Sequence, residues 1–188
     1  HHGHRFRGDR PLMSFRTAPL TVATEPQAKE DLFTAEVREA IDRHIAKYPQ
    51  DWQQSAVMPA LTIVQDANGG WLTPELMDDV ATYLDMPKVA VYEVATFYGM
   101  YDLAPTAKNK VCVCNSVSCM LRGSEELIHH VEKKYGVKPG ETTPDGKFTF
   151  KEVECLGACR HAPAVLIGRT YHESLSPEAL DKLIEELE

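Results

Sequence analysis

The chain has 188 residues, enough for one domain or for a pair of compact ones. Hydrophobic residues make up 43% and charged residues 26%, and no apolar run reaches the roughly 18 to 20 residues that a membrane-spanning helix needs. The formal net charge of -8 argues against a nucleic-acid-binding surface, which would be rich in Lys and Arg. We therefore expect the partners to be proteins or small molecules.

The first 33 residues show no sustained hydrophobic period. Residues 1–12 are rich in His and Arg and are typical of an expression tag before Met13, whereas residues 14–33 have the scattered Pro, Thr and Glu of an extended or mobile leader. An Arg-rich organelle-targeting segment is the alternative interpretation. Because nothing here has the apolar centre of a secretory signal, we expect the cysteines to be reduced.

Four short helices are predicted between residues 34 and 104. The first begins at the N-cap Thr34, and the second runs from about Ser55 to Ala67 before the stop Asn68-Gly69-Gly70. The third has Thr73 as N-cap with Pro74 at its first position, and the fourth runs from Pro87 towards Phe97. Short loops between amphipathic helices are typical of a small antiparallel bundle.

Strands alternate with helices from residue 105 onward. VCVC (111–114) is predicted as a strand, Ser124 as the N-cap of a helix, and KFTFKEVE (147–154) and PAVLIG (163–168) as two more strands. A further short strand is expected near Tyr171, and Ser176-Pro177 opens a final helix. The pattern predicts β-α-β-β-α, and we divide the chain into a tag and leader (1–33), a helical bundle domain (34–104) and a small α/β domain (105–188).

All five cysteines lie in the predicted α/β domain, in loops or strand ends where thiolates can converge. Structural zinc usually prefers pairs closer than Cys114 and Cys119, and disulfides are disfavoured by the odd count and the reducing setting. Iron–sulfur clusters are held by four thiolates and also use C-x₄-C elements, so a cluster is the favoured interpretation. Zinc and disulfides remain the alternatives at this point.

The cysteine motif also resembles that of a known family. CNSVSC (114–119), followed by CLGAC (155–159) and Ala162-Pro163, is similar to the thioredoxin-like [2Fe-2S] ferredoxins, in particular to the ferredoxin-type subunits in the peripheral arm of respiratory NADH:quinone oxidoreductase (complex I). The supporting stretches are GGWLTPE (69–75), VYEVATFYGMY (91–101), CMLRGSEEL (119–127), GETTPDGKFTF (140–150) and VECLGACRHAPAV (153–165). Together they cover nearly all of residues 34–188.

The resemblance implies an α+β chain of two domains, a helical bundle followed by a thioredoxin-like α/β domain that holds one [2Fe-2S] cluster. Carried over position by position, the ligands are Cys114, Cys119, Cys155 and Cys159. Cys112 falls outside the motif, and we interpret it as a packed, reduced thiol.

The resemblance also implies a role in electron transfer. The cluster would exchange single electrons with the FMN of a partner, the FMN- and NADH-binding subunit, beside other peripheral-arm subunits of complex I. The chain would lie on the cytoplasmic side of a bacterial inner membrane, or on the matrix side in a mitochondrion. No dinucleotide or flavin fingerprint and no catalytic triad are evident, so we expect FMN and NADH on the partner and no complete active site in this chain.

Two other functions remain open from the sequence. The same two-domain chain serves as a diaphorase subunit in NAD-dependent formate dehydrogenases and NAD-reducing hydrogenases, and a stand-alone carrier or metal-stabilised binding module belongs to another class. Arg122, Arg160 and His161 flank the ligand loops, and our hypothesis is that Arg160 favours the reduced cluster. The aromatic residues Tyr92, Phe97, Tyr98 and Tyr101 are interpreted as a mixture of bundle core and interface.

Overall fold

The structure is a computed structural model that describes residues 32–187. Residues 1–31, which include the predicted tag and most of the predicted leader, lie outside this range. Within it, the chain folds into a helical region followed by a region built on a four-stranded sheet. Across residues 32–187, no helix combines the length and the hydropathy needed to cross a bilayer.

Four α-helices form the helical region, as predicted. They are α1 (Ala35–Ile45), α2 (Val57–Ala67), α3 (Pro74–Tyr83) and α4 (Lys88–Phe97), with a short 3₁₀ helix at Gln53–Ala56 before α2. The predicted caps are confirmed, because Thr34 Oγ1 accepts from the N–H of Val37 and Thr73 Oγ1 from that of Leu76. Each bond satisfies one of the free N–H groups at a helix start.

The helical region buries an apolar core between its four helices. Its fully buried larger side chains are Ile41, Leu61, Val64, Leu72, Met77, Val80, Leu84 and Val91. Leu32 and Phe33, which the sequence analysis placed in the leader, also pack here, and the Phe33 ring centroid lies 5.5 Å from that of Tyr83. Among the aromatic residues interpreted as a mixture, Tyr101 is 6% exposed and Phe97 79% exposed.

The sheet has the strand order β2-β1-β3-β4. The strands are β1 (Asn109–Cys114), β2 (Phe148–Val153), β3 (Ala164–Ile167) and β4 (Thr170–Glu173), and the helices of this region are α5 (Val117–Leu121), α6 (Ser124–Tyr135) and α7 (Pro177–Glu185). Strands β1 and β2 are parallel, whereas β3 is antiparallel to both β1 and β4. The short strand expected near Tyr171 is therefore present as β4.

The two faces of the sheet have different surroundings because side chains alternate along each strand. One face packs against α6 and α7 and forms the second apolar core, which includes Val111, Val113, Phe148, Phe150, Val165, Ile167, Leu127, Val131, Leu180 and Ile184. The other face carries Lys110, Cys112 and Cys114 on β1 and Lys151 on β2. The two cores are separate clusters, but the domain boundary near residue 105 stays a prediction.

The start of α6 differs from the prediction. Ser124 does not cap this helix: its N-cap is Gly123, which has φ 99° and ψ 19°, and Ser124 is the first helical residue. Two residues, Arg122 and Gly123, separate α5 from α6, and so tight a turn needs a left-handed conformation that glycine adopts without a Cβ penalty. The serine is thereby moved from the exposed cap position into the interior, where it is 0% exposed.

An ion-pair group joins the helical region to the second face of the sheet. Asp102 Oδ2 lies 2.6 Å from Lys110 Nζ, and Asp102 Oδ1 lies 2.9 Å from Lys151 Nζ. The lysines also donate to backbone carbonyls of the helical region, Lys110 to Gly70 and Lys151 to Gly99. All three charged side chains are 20% exposed or less, so solvent screens them weakly.

Candidate metal centre

The topology of the sheet gathers four cysteines at one edge. Strands β1 and β2 are parallel, so their carboxyl ends meet at the same edge, and the antiparallel β3 begins there. Cys114 ends β1, Cys119 lies in α5 directly after it, Cys155 follows β2 by two residues, and Cys159 opens the 3₁₀ helix Cys159–His161 that precedes β3. We name these four residues the cysteine edge.

Cys114 and Cys119 form the buried half of the cysteine edge. Each is 1% exposed, and their thiols are in hydrogen-bond contact. The backbone N–H of Ala164 donates to the sulfur of Cys119, and the Cys114 thiol lies 3.9 Å from the Glu154 carbonyl oxygen. Burial raises the pKa of Cys119, and Cys114 and Cys159 raise it further against the opposing Ala164 bond, so metal binding there has to displace a proton.

Cys155 and Cys159 form the exposed half of the cysteine edge. The N–H of Gly157 donates to Cys155 Sγ at 3.4 Å, and Gly157 has a φ of 75° that favours glycine. Cys159 is close enough to influence the pKa of Cys119, whereas the contact that the structure describes for Cys155 is the one with Gly157. Within residues 32–187, no three His, Cys, Asp or Glu side chains surround one ion position.

The chemistry of this donor set fits an iron–sulfur cluster. All four side chains are thiols, the ligands that hold [2Fe-2S] clusters, and a two-iron cluster needs two of them on each iron. Two of the sulfurs already accept backbone N–H bonds, from Ala164 and Gly157. Such bonds orient the ligands and tune the potential of metal centres. The assignment of these four residues as ligands nevertheless rests on the motif.

Cys112 lies apart from the cysteine edge, in the interior of β1. It pairs in register with Lys151 of β2 and Leu166 of β3, and it is a free, buried cysteine. Burial raises the pKa of its thiol, with smaller opposing effects from Lys151 and Asp102. These surroundings agree with the interpretation of Cys112 as a packed thiol.

Charged and apolar side chains surround the cysteine edge on its solvent side. Arg122 and Arg160 are both exposed, and the carbonyl of His161 accepts from the N–H of Ser174 at 2.8 Å. Helix α5 exposes Val117, Met120 and Leu121, the last of these by 77%. The sequence analysis missed α5, because five residues are too few to show a helical period; Ser116 before the apolar residues was the available signal.

Comparison with known proteins identifies the class to which the chain belongs. Residues 41–188 match the family model described as thioredoxin-like [2Fe-2S] ferredoxin, and the chain is a member of that family. This result confirms the fold class and the family predicted from the cysteine motif.

Particular relatives narrow the comparison. The chain is 45% identical over 143 residues to an NADH-quinone oxidoreductase subunit from Rickettsia bellii (strain RML369-C), covering 76% of this chain and 86% of the relative. It is 41% identical over 155 residues to the mitochondrial NADH dehydrogenase [ubiquinone] flavoprotein 2 of Dictyostelium discoideum, covering 82% of this chain and 63% of that protein.

A solved structure of an NAD+-reducing [NiFe]-hydrogenase in its H2-reduced state shares the fold. The TM-score is 0.58 at 24% identity, over 69% of this chain and 22% of the hydrogenase chain. The present chain thus corresponds to about a fifth of that hydrogenase chain. At this identity the likeness shows the fold alone.

Proposed function

We propose that this chain is the electron-transfer subunit of an NADH-quinone oxidoreductase and holds one [2Fe-2S] cluster on Cys114, Cys119, Cys155 and Cys159. The observation that carries the proposal is the gathering of four thiols at one edge of the sheet. Relatives at 45% and 41% identity that are NADH dehydrogenase subunits support the assignment to this enzyme. The chain is then one component of an oxidoreductase, since the sequence offers no site for NADH or flavin.

The residues of the cysteine edge have distinct tasks in this proposal. When bound, the cluster supplies reversible one-electron chemistry, and its net negative charge grows by one on reduction. The thiolates hold the irons, and the N–H groups of Ala164 and Gly157 place positive dipole ends against two ligand sulfurs. These dipoles stabilise the added negative charge. Burial of Cys114 and Cys119 acts in the opposite direction, because it removes water from the charged site.

The exposed half of the cysteine edge leaves a route for electrons. Cys155 and Cys159 are open to solvent, so a partner can approach this side of the centre closely. We propose that the partner is the FMN- and NADH-binding subunit of the enzyme, with other peripheral-arm subunits as neighbours. The complex would hold this chain on the cytoplasmic side of a bacterial inner membrane, or on the matrix side in a mitochondrion.

The proposal is tested by anaerobic reconstitution of the chain with iron and sulfide. We expect about two irons and two sulfides per chain, visible absorption that dithionite bleaches reversibly, and loss of that absorption when any one of the four ligands is changed to Ser. The matched control is Cys112→Ser, which removes a thiol from the same strand and should keep the cluster. A colourless zinc-loaded protein, or loss of the cluster in Cys112→Ser alone, would contradict the assignment.

The identity of the parent enzyme needs a separate measurement. The chain should copurify, from its native source, with NADH oxidation coupled to quinone reduction. Copurification with formate or hydrogen oxidation would instead favour the diaphorase alternative, which the hydrogenase fold likeness leaves open as a matter of fold.

A further inference from the structure

Ser124 has a buried hydroxyl without a protein partner. Among residues 32–187, its Oγ is the one buried side-chain oxygen or nitrogen for which the structure shows no hydrogen bond. Leaving such a group unsatisfied costs about 1 to 3 kcal/mol, so native proteins seldom do so without a reason. The unsatisfied hydroxyl therefore calls for a partner that the folded chain does not supply by itself.

Other buried hydroxyls of this region are satisfied. Thr143 Oγ1 accepts from the N–H of Phe148 at 3.2 Å, and Thr149 Oγ1 accepts from the N–H of Ala107 at 2.8 Å. Both threonines are 5% exposed or less, so their burial is comparable with that of Ser124. The missing partner is thus a feature of the Ser124 position and not of buried hydroxyls in this sheet region generally.

The chain path places Ser124 beside the cysteine edge. β1 ends at Cys114, and the short helix α5 with Cys119 comes next, separated from α6 by two residues. The helix α6 must then run back along the sheet, because β2 starts at the opposite edge, parallel to β1. Ser124, as the first residue of α6, accordingly lies at the end of the helix nearest the four thiols.

The helical phase directs Ser124 inward. Ser124, Leu127, Ile128 and Val131 are the buried residues of α6 and follow the spacing of one helix face. Leu127 and Val131 pack into the core against the sheet. The serine hydroxyl therefore sits on the sheet side of α6, five residues after the buried ligand Cys119.

We propose that the Ser124 hydroxyl is a hydrogen-bond donor for a sulfur of the [2Fe-2S] centre, either the Cys119 thiolate or a bridging sulfide. This inference rests on the proposed function. Its partner arrives only when the cluster is assembled, which explains why the hydroxyl has none in the polypeptide alone. An O–H donor aimed at sulfur favours the reduced, more negative centre and also strengthens its retention.

The test compares Ser124→Ala with Thr143→Val, in cluster-free and cluster-loaded protein. Ser124→Ala should leave the cluster-free chain as stable as the wild type or more stable, because it removes an unsatisfied group. In the loaded chain it should lower the equilibrium constant for reduction up to about tenfold, which is 59 mV for a one-electron couple. Loss of the cluster to a chelator should also become faster.

The control should behave differently in each measurement. Thr143→Val removes a hydroxyl that already has a backbone partner, so it should destabilise both forms equally and leave the reduction potential unchanged. Two results would overturn the inference about Ser124: destabilisation of the cluster-free chain by Ser124→Ala, which would reveal a protein or water partner, or an unchanged potential in the loaded variant. Failure of the wild type to take up a cluster would overturn the proposed function instead.

Discussion

The helical region and the sheet region each bury an apolar core, but they differ in what stabilises their surface edges. The helical core is made of large aliphatic side chains on four mutually packed helices. The sheet region has such a core under α6 and α7, and in addition a small buried cluster at the cysteine edge, made of Cys114, Cys119, Ala162 and Ala164. These four side chains are short, so they bury little apolar surface.

The difference indicates two kinds of stability in one chain. Burial of large side chains stabilises the helical region whether or not a metal is present. The loops of the cysteine edge have little apolar surface to bury, and metal binding can supply folding free energy where packing does not. We expect the cluster to stabilise the cysteine edge strongly and the helical region hardly at all.

Truncation of one large side chain in each core is the strongest way to break this comparison. Phe150→Ala should cost about 3 to 5 kcal/mol of unfolding free energy and Leu61→Ala about 2 to 5, because both side chains are fully buried. Only Phe150→Ala should accelerate cluster release, since β2 leads directly to Cys155. Chemical denaturation and the decay of visible absorption in chelator measure the two effects. Equal acceleration by Leu61→Ala would show that the regions are not separable in this way.

The ion-pair group between the regions is the next target. Asp102→Asn should cost about 3 kcal/mol or more, because it leaves Lys110 and Lys151 close together in a poorly solvated place without their counter-charge. The control is Asp78→Asn, which breaks the exposed pair with Lys88 and should cost less than about 1 kcal/mol. Separate unfolding transitions for the two regions in Asp102→Asn would show that this group couples them. A cost equal to that of the control would contradict the prediction.

A smaller effect concerns the attachment of α7 to α6, on the face of the sheet away from Lys110 and Lys151. His130 Nε2 and the Tyr135 hydroxyl each lie 2.9 Å from Asp181 Oδ1, and Lys134 Nζ lies 2.8 Å from Oδ2. Burial would raise the pKa of Asp181, but the bonds from these three residues outweigh it and lower that pKa below the ordinary 3.8. The carboxylate is therefore stabilised in the folded state.

The sign of the pH dependence follows from that lowered pKa. The contribution of Asp181 is fully present above pH 3.8 and is lost as the pH falls through the lower folded-state value. Asp181→Asn should cost about 2 kcal/mol at neutral pH, and the difference from the wild type should shrink below pH 4. Urea unfolding between about pH 7 and pH 3 measures it, with the exposed Glu186→Gln as control. Parallel curves for wild type and Asp181→Asn would contradict the assignment.

How much of this molecule the sequence predicts depends on the range of the interactions involved. The caps Thr34, Thr73 and Ser176 act within three residues, so their side chains and the following N–H groups could be identified directly. The candidate ligands were also predictable, because their spacing and neighbouring residues form a family motif, and the family is confirmed.

Features that depend on distant contacts were not predictable. Asp102 meets Lys151 across 49 residues, and no local pattern indicates that pairing. Ser124 looked like a cap because it precedes an amphipathic helix, yet the tight turn at Gly123 moves it into the interior. No sequence pattern indicates that one half of the cysteine edge is buried and the other exposed, since that depends on how α5 folds over β1.

The smallest expected effect is electrostatic and tests whether solvent reaches the cysteine edge. Arg160 directly follows Cys159 and is exposed, so its charge should favour the reduced centre only weakly. We expect Arg160→Leu to lower the reduction potential by at most about 30 mV at low salt, a threefold change in the equilibrium constant. Arg169→Leu is the matched control, because it removes the same charge from the β3–β4 turn at the opposite edge and should leave the potential unchanged.

Salt dependence separates a charge effect from a change in packing. At about 1 M salt the Debye length falls to about 3 Å, so the difference between Arg160→Leu and the wild type should disappear if Arg160 acts through a solvent-screened charge. A difference that persists at high salt would mean that the side chain also orders the Cys159–His161 segment. An unchanged or higher potential at low salt would remove Arg160 from the account, leaving the backbone N–H groups and the proposed Ser124 donor to stabilise the reduced centre.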